Sequence, residues 1–387
     1  MNRQYYVVIG AAVAAAIVAA VMVNTEPTYD DALSGTPPVE SADANAPDTT
    51  EIAGDLAEVV LTDSDVMVTD GVRHIIPLNE IFSGGPPKDG IPSIDDPIFA
   101  DVDYDSISDD DVVIGVDING DVRAYPLSIL VWHEIVNDVV GGVPISVTYC
   151  PLCYTNQVFE RVINGQTVEF GVSGKLYNSN LLMYDRLTDS YWSQATGEAV
   201  VGELTGTKLE IVPFDVMHWK DWKSLHPDTL VLARDTGHSR PYDTDPYERY
   251  FETDRIAFPI SNRDDRLALK TVILGFGIDG SYKAYPQSDV EAAGAINDHF
   301  AGVSILLISE YEGNARAFDR IIDGRALSFA YVDDILVDSE TSSQWSYDGT
   351  AVSGPLRGAQ LERLAFSPGF WFEWVSFHPD TELYGDL

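Results

Sequence analysis

The chain has 387 residues, 45% of them hydrophobic, which is enough for two or three folded domains with buried cores. Its formal net charge is -39, from 62 acidic and 23 basic residues. Phosphate binding requires clustered Lys and Arg, and this sequence has no such cluster, so the composition excludes nucleic acid as a partner. An acid excess spread through the folded segments is typical of a halophilic protein, because salt screens the self-repulsion.

This charge predicts that salt stabilises the protein. The Debye length shortens from about 10 Å at 0.1 M salt to about 3 Å at 1 M, so repulsion between surface carboxylates weakens. We expect the melting temperature to rise as potassium chloride increases from low to molar concentration, as followed by circular dichroism. A melting temperature that stays flat or falls would contradict the prediction.

An apolar run at the N-terminus predicts a transmembrane helix. The run from Tyr5 to Val23 is uncharged and 19 residues long, about the length that spans a bilayer. Arg3 precedes it and acidic residues follow it, so the positive-inside rule places the rest of the chain on the extracytoplasmic side of the cell membrane. We interpret residues 1–23 as a signal anchor, the alternative being a cleaved signal peptide. Residues 24–55 are rich in Pro, Ala, Thr and Asp and predict a disordered acidic tether.

The remainder of the chain contains an imperfect internal repeat. Two segments of 23 residues that start at Arg123 and Lys283 are identical at nine positions. Further matches follow in the same order, such as Ser-Leu-His-Pro-Asp-Thr at 224–229 and Ser-Phe-His-Pro-Asp-Thr at 376–381. The sequence therefore predicts two tandem, diverged copies of one domain. The predicted organisation is a first β-rich repeat with an N-terminal extension at 56–231, a connector at 232–270 and a second, degenerate repeat at 271–387.

The local patterns favour strands joined by tight turns. Residues 112–118 form an apolar run that ends in Asn119-Gly120, a strong hairpin signal. Residues 143–149 alternate between the two faces of a strand, and residues 127–136 predict a short helix. The expected fold class is mainly β with a few short helices (α+β).

Several residues of the first repeat have no counterpart in the second. A determinant of the fold should persist in both copies, whereas a chemical site need be present in only one. The residues that are lost are therefore the candidates for function: Cys150 and Cys153, the only cysteines of the chain, which align with Glu310 and Gly313; His133, which aligns with Ala293; and Met183, which aligns with Leu336.

Two cysteines separated by two residues can bind a metal ion, close a disulfide or act as a redox pair. Two thiolates, the imidazole of His133 and the thioether of Met183 form a soft ligand set that suits copper, and without the thioether they suit zinc. The competing interpretation is a disulfide that only stabilises the fold. All three alternatives are compatible with the sequence, and so is a separate interpretation of Met183 as a core residue.

The motifs around these residues resemble a known family. They are His-Glu-Ile-Val-Asn-Asp at 133–138, Val-Thr-Tyr-Cys-Pro-Leu-Cys at 147–153, Phe-Gly-Val-Ser-Gly at 170–174, Met-Tyr-Asp-Arg at 183–186, Pro-Lys-Asp-Gly-Ile-Pro at 87–92 and Asp-Thr-Gly at 235–237. The combination resembles the family of domain of unknown function 3179, a resemblance that implies no activity. Relatives often carry Gly-Thr after the second cysteine, where this chain has Tyr154-Thr155.

Arg186 is a further candidate, because the second repeat has Ser339 at its position while Asp185 is matched by Asp338. An adjacent Asp and Arg usually form a structural ion pair, although Arg186 could bind an anionic group. Two functions follow as hypotheses. One is a membrane-tethered extracytoplasmic protein with a copper, zinc or thiol/disulfide site at His133, Cys150 and Cys153. The other is a surface-anchored binding module in which the cysteines only form a stabilising disulfide.

Overall fold

The computed structural model describes residues 66–386 and consists mainly of β-strands. Strands account for 42% and helices for 11%, which confirms the prediction of a mainly β fold with a few short helices. The strands form several small sheets arranged in a ring. The predicted signal anchor at 1–23 and tether at 24–55 lie outside the described residues. Between residues 66 and 386, no helix is long and apolar enough to cross a bilayer.

The elements up to residue 232 are short strands with two helices of seven residues each. The strands are β1 (Met67–Thr69), β2 (Val72–His74), β3 (Phe82–Ser83), β4 (Phe99–Ala100), β5 (Val112–Ile118), β6 (Asp121–Pro126), β7 (Ile135–Val140), β8 (Val143–Cys150), β9 (Thr155–Glu160), β10 (Val162–Ile163), β11 (Gln166–Thr167), β12 (Phe170–Tyr177), β13 (Asn180–Asp185), β14 (Tyr191–Ser193), β15 (Ala199–Val201), β16 (Asp215–His218) and β17 (Leu230–Leu232). The helices are α1 (Leu127–His133) and α2 (Trp219–Leu225), and one 3-10 turn spans Leu78–Glu80.

A connector with one short helix, α3 (Glu248–Phe251), leads to the second set of elements. Its strands are β18 (Val272–Ile278), β19 (Ser281–Pro286), β20 (Ala295–Phe300), β21 (Val303–Ile308), β22 (Arg316–Asp319), β23 (Ile321–Ile322), β24 (Arg325–Ala326), β25 (Phe329–Val332), β26 (Ile335–Asp338), β27 (Gln344–Trp345), β28 (Ala351–Ser353), β29 (Glu362–Leu364), β30 (Ser367–Phe370) and β31 (Glu382–Leu383). Its helices are α4 (Gln287–Ala293) and α5 (Trp371–Phe377).

The sheets of the two sets correspond in strand order. The order β16-β5-β6-β17-β4 is matched by β30-β18-β19-β31, and β7-β8-β9 by β20-β21-β22-β29. The run β15-β14-β13-β12 within a larger sheet of seven strands, β1-β2-β15-β14-β13-β12-β3, is matched by β28-β27-β26-β25. The pairs β10-β11 and β23-β24 also correspond. We call residues 112–232 the first half and residues 272–383 the second half. Their common element order supports the duplication, which stays a prediction together with the domain boundaries at 231 and 271.

Contacts recur along with the element order. Gly115 in β5 lies under the ring of Trp222, and a Cβ atom at Gly115 would come within 2.4 Å of that ring. Gly275 in β18 has the same relation to Trp374, at 2.3 Å. Both halves therefore need a glycine at this strand position, because the indole of the following helix occupies the space of a side chain. This contact explains why the glycine and the tryptophan occur together in each half.

The predicted hairpin at Asn119-Gly120 is confirmed, since both residues have the positive φ angles, 54° and 80°, of a tight turn. The predicted helix at 127–136 is wrong in its last turn. Helix α1 ends at His133, and Ile135 already begins strand β7. Glu134 adopts the left-handed conformation between them, at φ 59° and ψ -29°, which no helix can continue.

Candidate active site

Cys150 and Cys153 lie in a tight hairpin loop. Strand β8 ends at Cys150 and strand β9 begins at Thr155, its paired residue. The backbone N–H of Cys153 donates to the carbonyl of Cys150 at 3.1 Å, which folds the loop back on itself. The two cysteines are not joined by a disulfide, and their exposed fractions are only 2% and 0%. The loop therefore presents two buried thiols side by side.

The residue after the second cysteine has an unusual conformation. Tyr154 has a φ of 55°, in the left-handed region where glycine is the relaxed choice. A tyrosine at this position is therefore under backbone strain. Its ring stacks on Phe370 of the second half, with centroids 5.5 Å apart and planes at 20°. Packing between the halves thus offsets part of the backbone strain.

Burial sets the protonation state of Cys153. Burial raises the pKa of Cys153 well above its usual value, and the neighbouring Cys150 and Glu373 raise it further. The Cys153 thiol donates to the backbone carbonyl of Ser179 at 3.1 Å. A neutral thiol in an apolar cluster is unreactive until a base removes its proton. The nearest candidate for such a base belongs to the second half.

Glu373 extends from helix α5 toward the cysteine loop. Its exposed fraction is 4%, and burial raises its pKa to about 8. Strand β30 can approach the loop because Gly369 has no side chain. A Cβ atom at Gly369 would lie 3.1 Å from the hydroxyl of Thr155, 3.3 Å from Oε2 of Glu373 and 3.6 Å from the carbonyl of Cys153. The thiol loop of the first half and a buried carboxyl of the second half therefore form one site.

Two further contacts fix this junction. The N–H of Phe370 donates to the carbonyl of Cys153 at 2.8 Å, and Gln157 Nε2 donates to Ser367 Oγ at 2.6 Å. Buried oxygens at its edge, Asn156 Oδ1, Gln157 Oε1 and Ser179 Oγ, have no hydrogen-bond partner within residues 66–386. Unpaired buried polar atoms lower the stability of the folded state. A loop whose only role is to stabilise the fold therefore has no use for them.

His133 takes part in a separate hydrogen-bond chain. Its Nδ1 lies 2.8 Å from the carbonyl of Pro92, which can only accept, so Nδ1 carries the proton. Its Nε2 lies 2.8 Å from the hydroxyl of Tyr242, which lies 2.6 Å from Oγ1 of Thr236. Burial lowers the pKa of His133 to about 4 and keeps the ring neutral. The lone pair that a metal would need is therefore already used by Tyr242.

The predicted metal ligands are not gathered around one point. In the part of the chain that the structure describes, no group of three His, Cys, Asp or Glu side chains is arranged to hold a metal ion. Met183 is fully buried in the same apolar cluster as Cys150 and Cys153, between Val172 and Trp192 on the paired strands. Its position agrees with the interpretation of a core residue.

Asp185 and Arg186 have different surroundings although they are adjacent. Asp185 is buried and accepts from the indole of Trp192 at 2.9 Å, as Asp338 does from Trp345 at 3.0 Å. Arg186 lies at the surface. It donates to the hydroxyls of Tyr184 and Ser93 and contacts carboxylates on three sides: Asp89 at 3.4 Å, Asp95 at 3.3 Å and Glu169 at 3.8 Å. Asp185 thus holds the same turn in both halves, and Arg186 is surrounded by acids rather than open to an anion.

The comparison of the two repeats does not identify Glu373. It searches for chemical residues that the second repeat has lost, whereas Glu373 corresponds to Asp221 of the first repeat and looks like a shared acid. A signal is nevertheless present in the sequence. Glu373 is the one charged residue in the otherwise apolar and aromatic helix Trp-Phe-Glu-Trp-Val-Ser-Phe. A lone carboxyl in such a helix is a candidate for a perturbed pKa.

Comparison with known proteins agrees with the motifs. A family model described as protein of unknown function (DUF3179) matches residues 88–381, which spans both halves. No curated protein and no solved structure matches the chain.

Proposed function

For this chain, which belongs to the DUF3179 family, we propose a function as a thiol/disulfide redox protein in which Cys150 and Cys153 are the redox couple. The observation that carries the proposal is the junction at which the buried carboxyl of Glu373 meets the cysteine loop. A dithiol releases two protons when it becomes a disulfide. A base beside a buried thiol can accept one of these protons. A carboxyl with a raised pKa suits this task better than an ordinary one, because its basicity is closer to that of a thiol.

The reaction is an exchange with a low-molecular-weight disulfide. The carboxylate of Glu373 accepts the proton of Cys153, and a cysteine thiolate attacks one sulfur of the substrate and expels the first substrate thiolate. The other cysteine then attacks the mixed disulfide and expels the second substrate thiolate. Two electrons pass from the protein to the substrate, and the two cysteine protons end on the two expelled thiolates. The products are one protein disulfide and two small thiols.

The cover over the loop favours a small substrate. The hydroxyl of Tyr250 in α3 donates to the carbonyl of Leu152 at 2.9 Å, directly between the two cysteines. Phe251 lies edge-on to Tyr154 at 6.3 Å. None of the four residues of helix α3, which supplies these rings, is fully buried. A small disulfide needs only a local opening of this cover, whereas a protein substrate would need its removal.

The proposed location is the extracytoplasmic face of the cell membrane, with the body tethered through residues 1–55. An uncharged apolar run and an acidic tether support it. Disulfides persist in that compartment, so a dithiol there can cycle between both states. A copper or zinc site stays an alternative hypothesis, with Cys150 and Cys153 as its ligands; His133 does not fit that set while Tyr242 occupies its Nε2.

The test is the reaction of the reduced protein with a low-molecular-weight disulfide. We expect the loss of two hydrogen masses by intact mass spectrometry and full recovery of both thiols after reduction. The rate should rise with pH as Glu373 ionises. Glu373→Gln should slow the oxidation about 100-fold near neutral pH, the lower end of the usual contribution of a general base.

The matched control is Asp221→Asn, at the corresponding position of helix α2, which should oxidise at the wild-type rate. Two outcomes would overturn the proposal. One is a dithiol that does not react but retains stoichiometric copper or zinc after desalting, which would establish a metal site. The other is a disulfide that raises the melting temperature and does not exchange with small thiols, which would establish a purely stabilising disulfide.

A further inference from the structure

We propose that Lys270 holds the connector closed over the cysteine loop and thereby determines which disulfides reach Cys150 and Cys153. The inference rests on the proposed thiol/disulfide function and concerns the control of access to its site. It is carried by the burial of both thiols beneath the connector, by the contacts of Lys270 with that segment, and by the attachment of Lys270 to the second half.

The connector covers the two thiols. Cys150 and Cys153 belong to an apolar cluster, and partly buried residues of the connector pack against it: Phe251, Ile256, Ile260 and Leu269. The hydroxyl of Tyr250 donates to the carbonyl of Leu152, between the two cysteines. Burial raises the pKa of this phenol, and the neighbouring Cys153 and Cys150 raise it further. With exposed fractions of 2% and 0%, neither thiol can meet a substrate sulfur until the connector opens.

Lys270 binds the part of the connector that carries Tyr250. Its ammonium donates to the backbone carbonyl of Tyr250 and, at 2.6 Å, to that of Thr253, just after the end of helix α3. The same ammonium lies 3.4 Å from the centroid of the Tyr250 ring, a cation–π contact. Hydrogen bonds from a charged donor are stronger than those between neutral groups. One side chain therefore fixes both the backbone and the ring of the residue that closes over the loop.

Lys270 is itself held by helix α5 of the second half. The carbonyl of Leu269 accepts from the N–H of Phe372 at 2.9 Å, and the carbonyl of Thr271 accepts from the N–H of Trp371 at 2.8 Å. The backbone on both sides of Lys270 is thus attached to the second half, whereas no residue of helix α3 is fully buried. When the connector opens at α3, the contacts that must break are therefore those with Lys270.

The extent of opening that a reagent needs depends on its size. Displacement of the Tyr250 ring admits a low-molecular-weight disulfide and breaks only the cation–π contact of Lys270. A disulfide carried by a protein requires helix α3 to leave Lys270 altogether, so that the two hydrogen bonds to backbone carbonyls break as well. Lys270 thus slows the reaction of large disulfides more than that of small ones, and the substrate class is the small disulfide.

The test is the rate at which the reduced thiols are alkylated by a small reagent, N-ethylmaleimide, and by a large one, maleimide-polyethylene glycol. Lys270→Met keeps the apolar length of the side chain and removes the ammonium. Alkylation by the large reagent should become about 10-fold faster, because a hydrogen bond to a charged group is lost. Alkylation by the small reagent should rise only about threefold, the effect of the cation–π contact alone.

Two further variants separate the role of Lys270 from a general loosening of the protein. Tyr250→Phe loses the hydrogen bond to Leu152, which breaks in either opening, so both reagents should react about fivefold faster. The matched control is Lys223→Met, which removes an ammonium that lies 5.9 Å from the ring centroid of Trp219. Trp219 belongs to a different apolar cluster from the cysteines, so both rates should equal those of the wild type.

Disulfides of two sizes complete the test. Wild-type protein should be oxidised faster by cystamine than by insulin, and Lys270→Met should narrow this difference. Unchanged alkylation rates in Lys270→Met, or rates that rise by the same factor for both maleimides, would overturn this inference alone. Size-selective alkylation of a protein that reacts with neither disulfide would overturn the proposed function, and with it the role of Lys270 in substrate selection.

Discussion

Replacement of Asp215 by Asn is expected to lower the free energy of unfolding by about 3–5 kcal/mol, the usual cost of breaking a buried ion pair. Asp215 is 2% exposed and accepts from two guanidinium groups of the second half. Arg316 donates to it at 2.7 and 2.9 Å, and Arg363 at 2.8 and 3.1 Å. Burial opposes ionisation of the carboxyl, but Arg363 and Arg316 outweigh it and hold the pKa of Asp215 well below its usual range. The variant would leave the buried charge of Arg316 and the partly buried charge of Arg363 without compensation.

Urea unfolding, followed by circular dichroism, measures this loss. The matched control is Ser367→Ala, because Ser367 occupies the position in β30 that Asp215 occupies in β16. Ser367 accepts a single neutral hydrogen bond from Gln157 at 2.6 Å, so its loss should cost about 1 kcal/mol. Equal losses of unfolding free energy in the two variants would contradict the assignment of Asp215 as the main stabilising polar contact between the halves.

The two junctions between the halves use corresponding strands, with the roles of the two halves exchanged. At one, β22 of the second half delivers Arg316 to Asp215 in β16 of the first half. At the other, β9 of the first half delivers Gln157 to Ser367 in β30 of the second half. The first junction carries buried charge and holds the halves together. The second has weaker polar contacts and contains the thiols, so stability and chemistry are separated between two equivalent places.

The local features of the fold could be predicted from the sequence because they depend on neighbouring residues. Asn119-Gly120 specifies its hairpin through positive φ angles, and the alternation at 143–149 specifies strand β8. The end of helix α1 could not be predicted, since Glu134 gives no sign that it adopts a left-handed conformation. In the second half the same boundary is visible, because Gly294 marks it.

The candidate site could be predicted only in part, because it combines residues from distant segments. The absence of cysteines from the second half selects Cys150 and Cys153, and the structure places their loop against strand β30 of that half. The same reasoning selects His133, whose neighbours Pro92 and Tyr242 come from segments that sequence periodicity does not connect to it. Glu373 is more than 200 residues from the cysteines, and only the packing of β30 on the loop brings it there. Long-range placement of this kind depends on tertiary packing rather than on local pattern.

The two buried carboxyls also predict an unusual dependence of stability on pH. An ordinary glutamate has a pKa of 4.5, and burial raises the pKa of both Glu134 and Glu373 to about 8. Between these values the folded state holds a proton that the unfolded state has released, so stability falls as pH rises. The contribution is fully present below the unfolded pKa and is lost as pH rises through the folded value. Buried histidines such as His378 have lowered pKa values, so they make stability rise with pH. This effect is complete once the pH exceeds 6.5, the pKa of a histidine in the unfolded chain.

The clearest window therefore lies between about pH 7 and about pH 8, where each carboxyl should lower the free energy of unfolding by about 1 kcal/mol. Urea unfolding at several pH values within this window measures the slope. Glu373→Gln should remove about half of it, Glu134→Gln the other half, and the double variant should be nearly flat. Asp221→Asn should keep the wild-type slope, because Asp221 is only partly buried. A double variant with an unchanged slope would show that neither carboxyl holds its proton in the folded protein, and the proton-transfer role proposed for Glu373 would be lost with it.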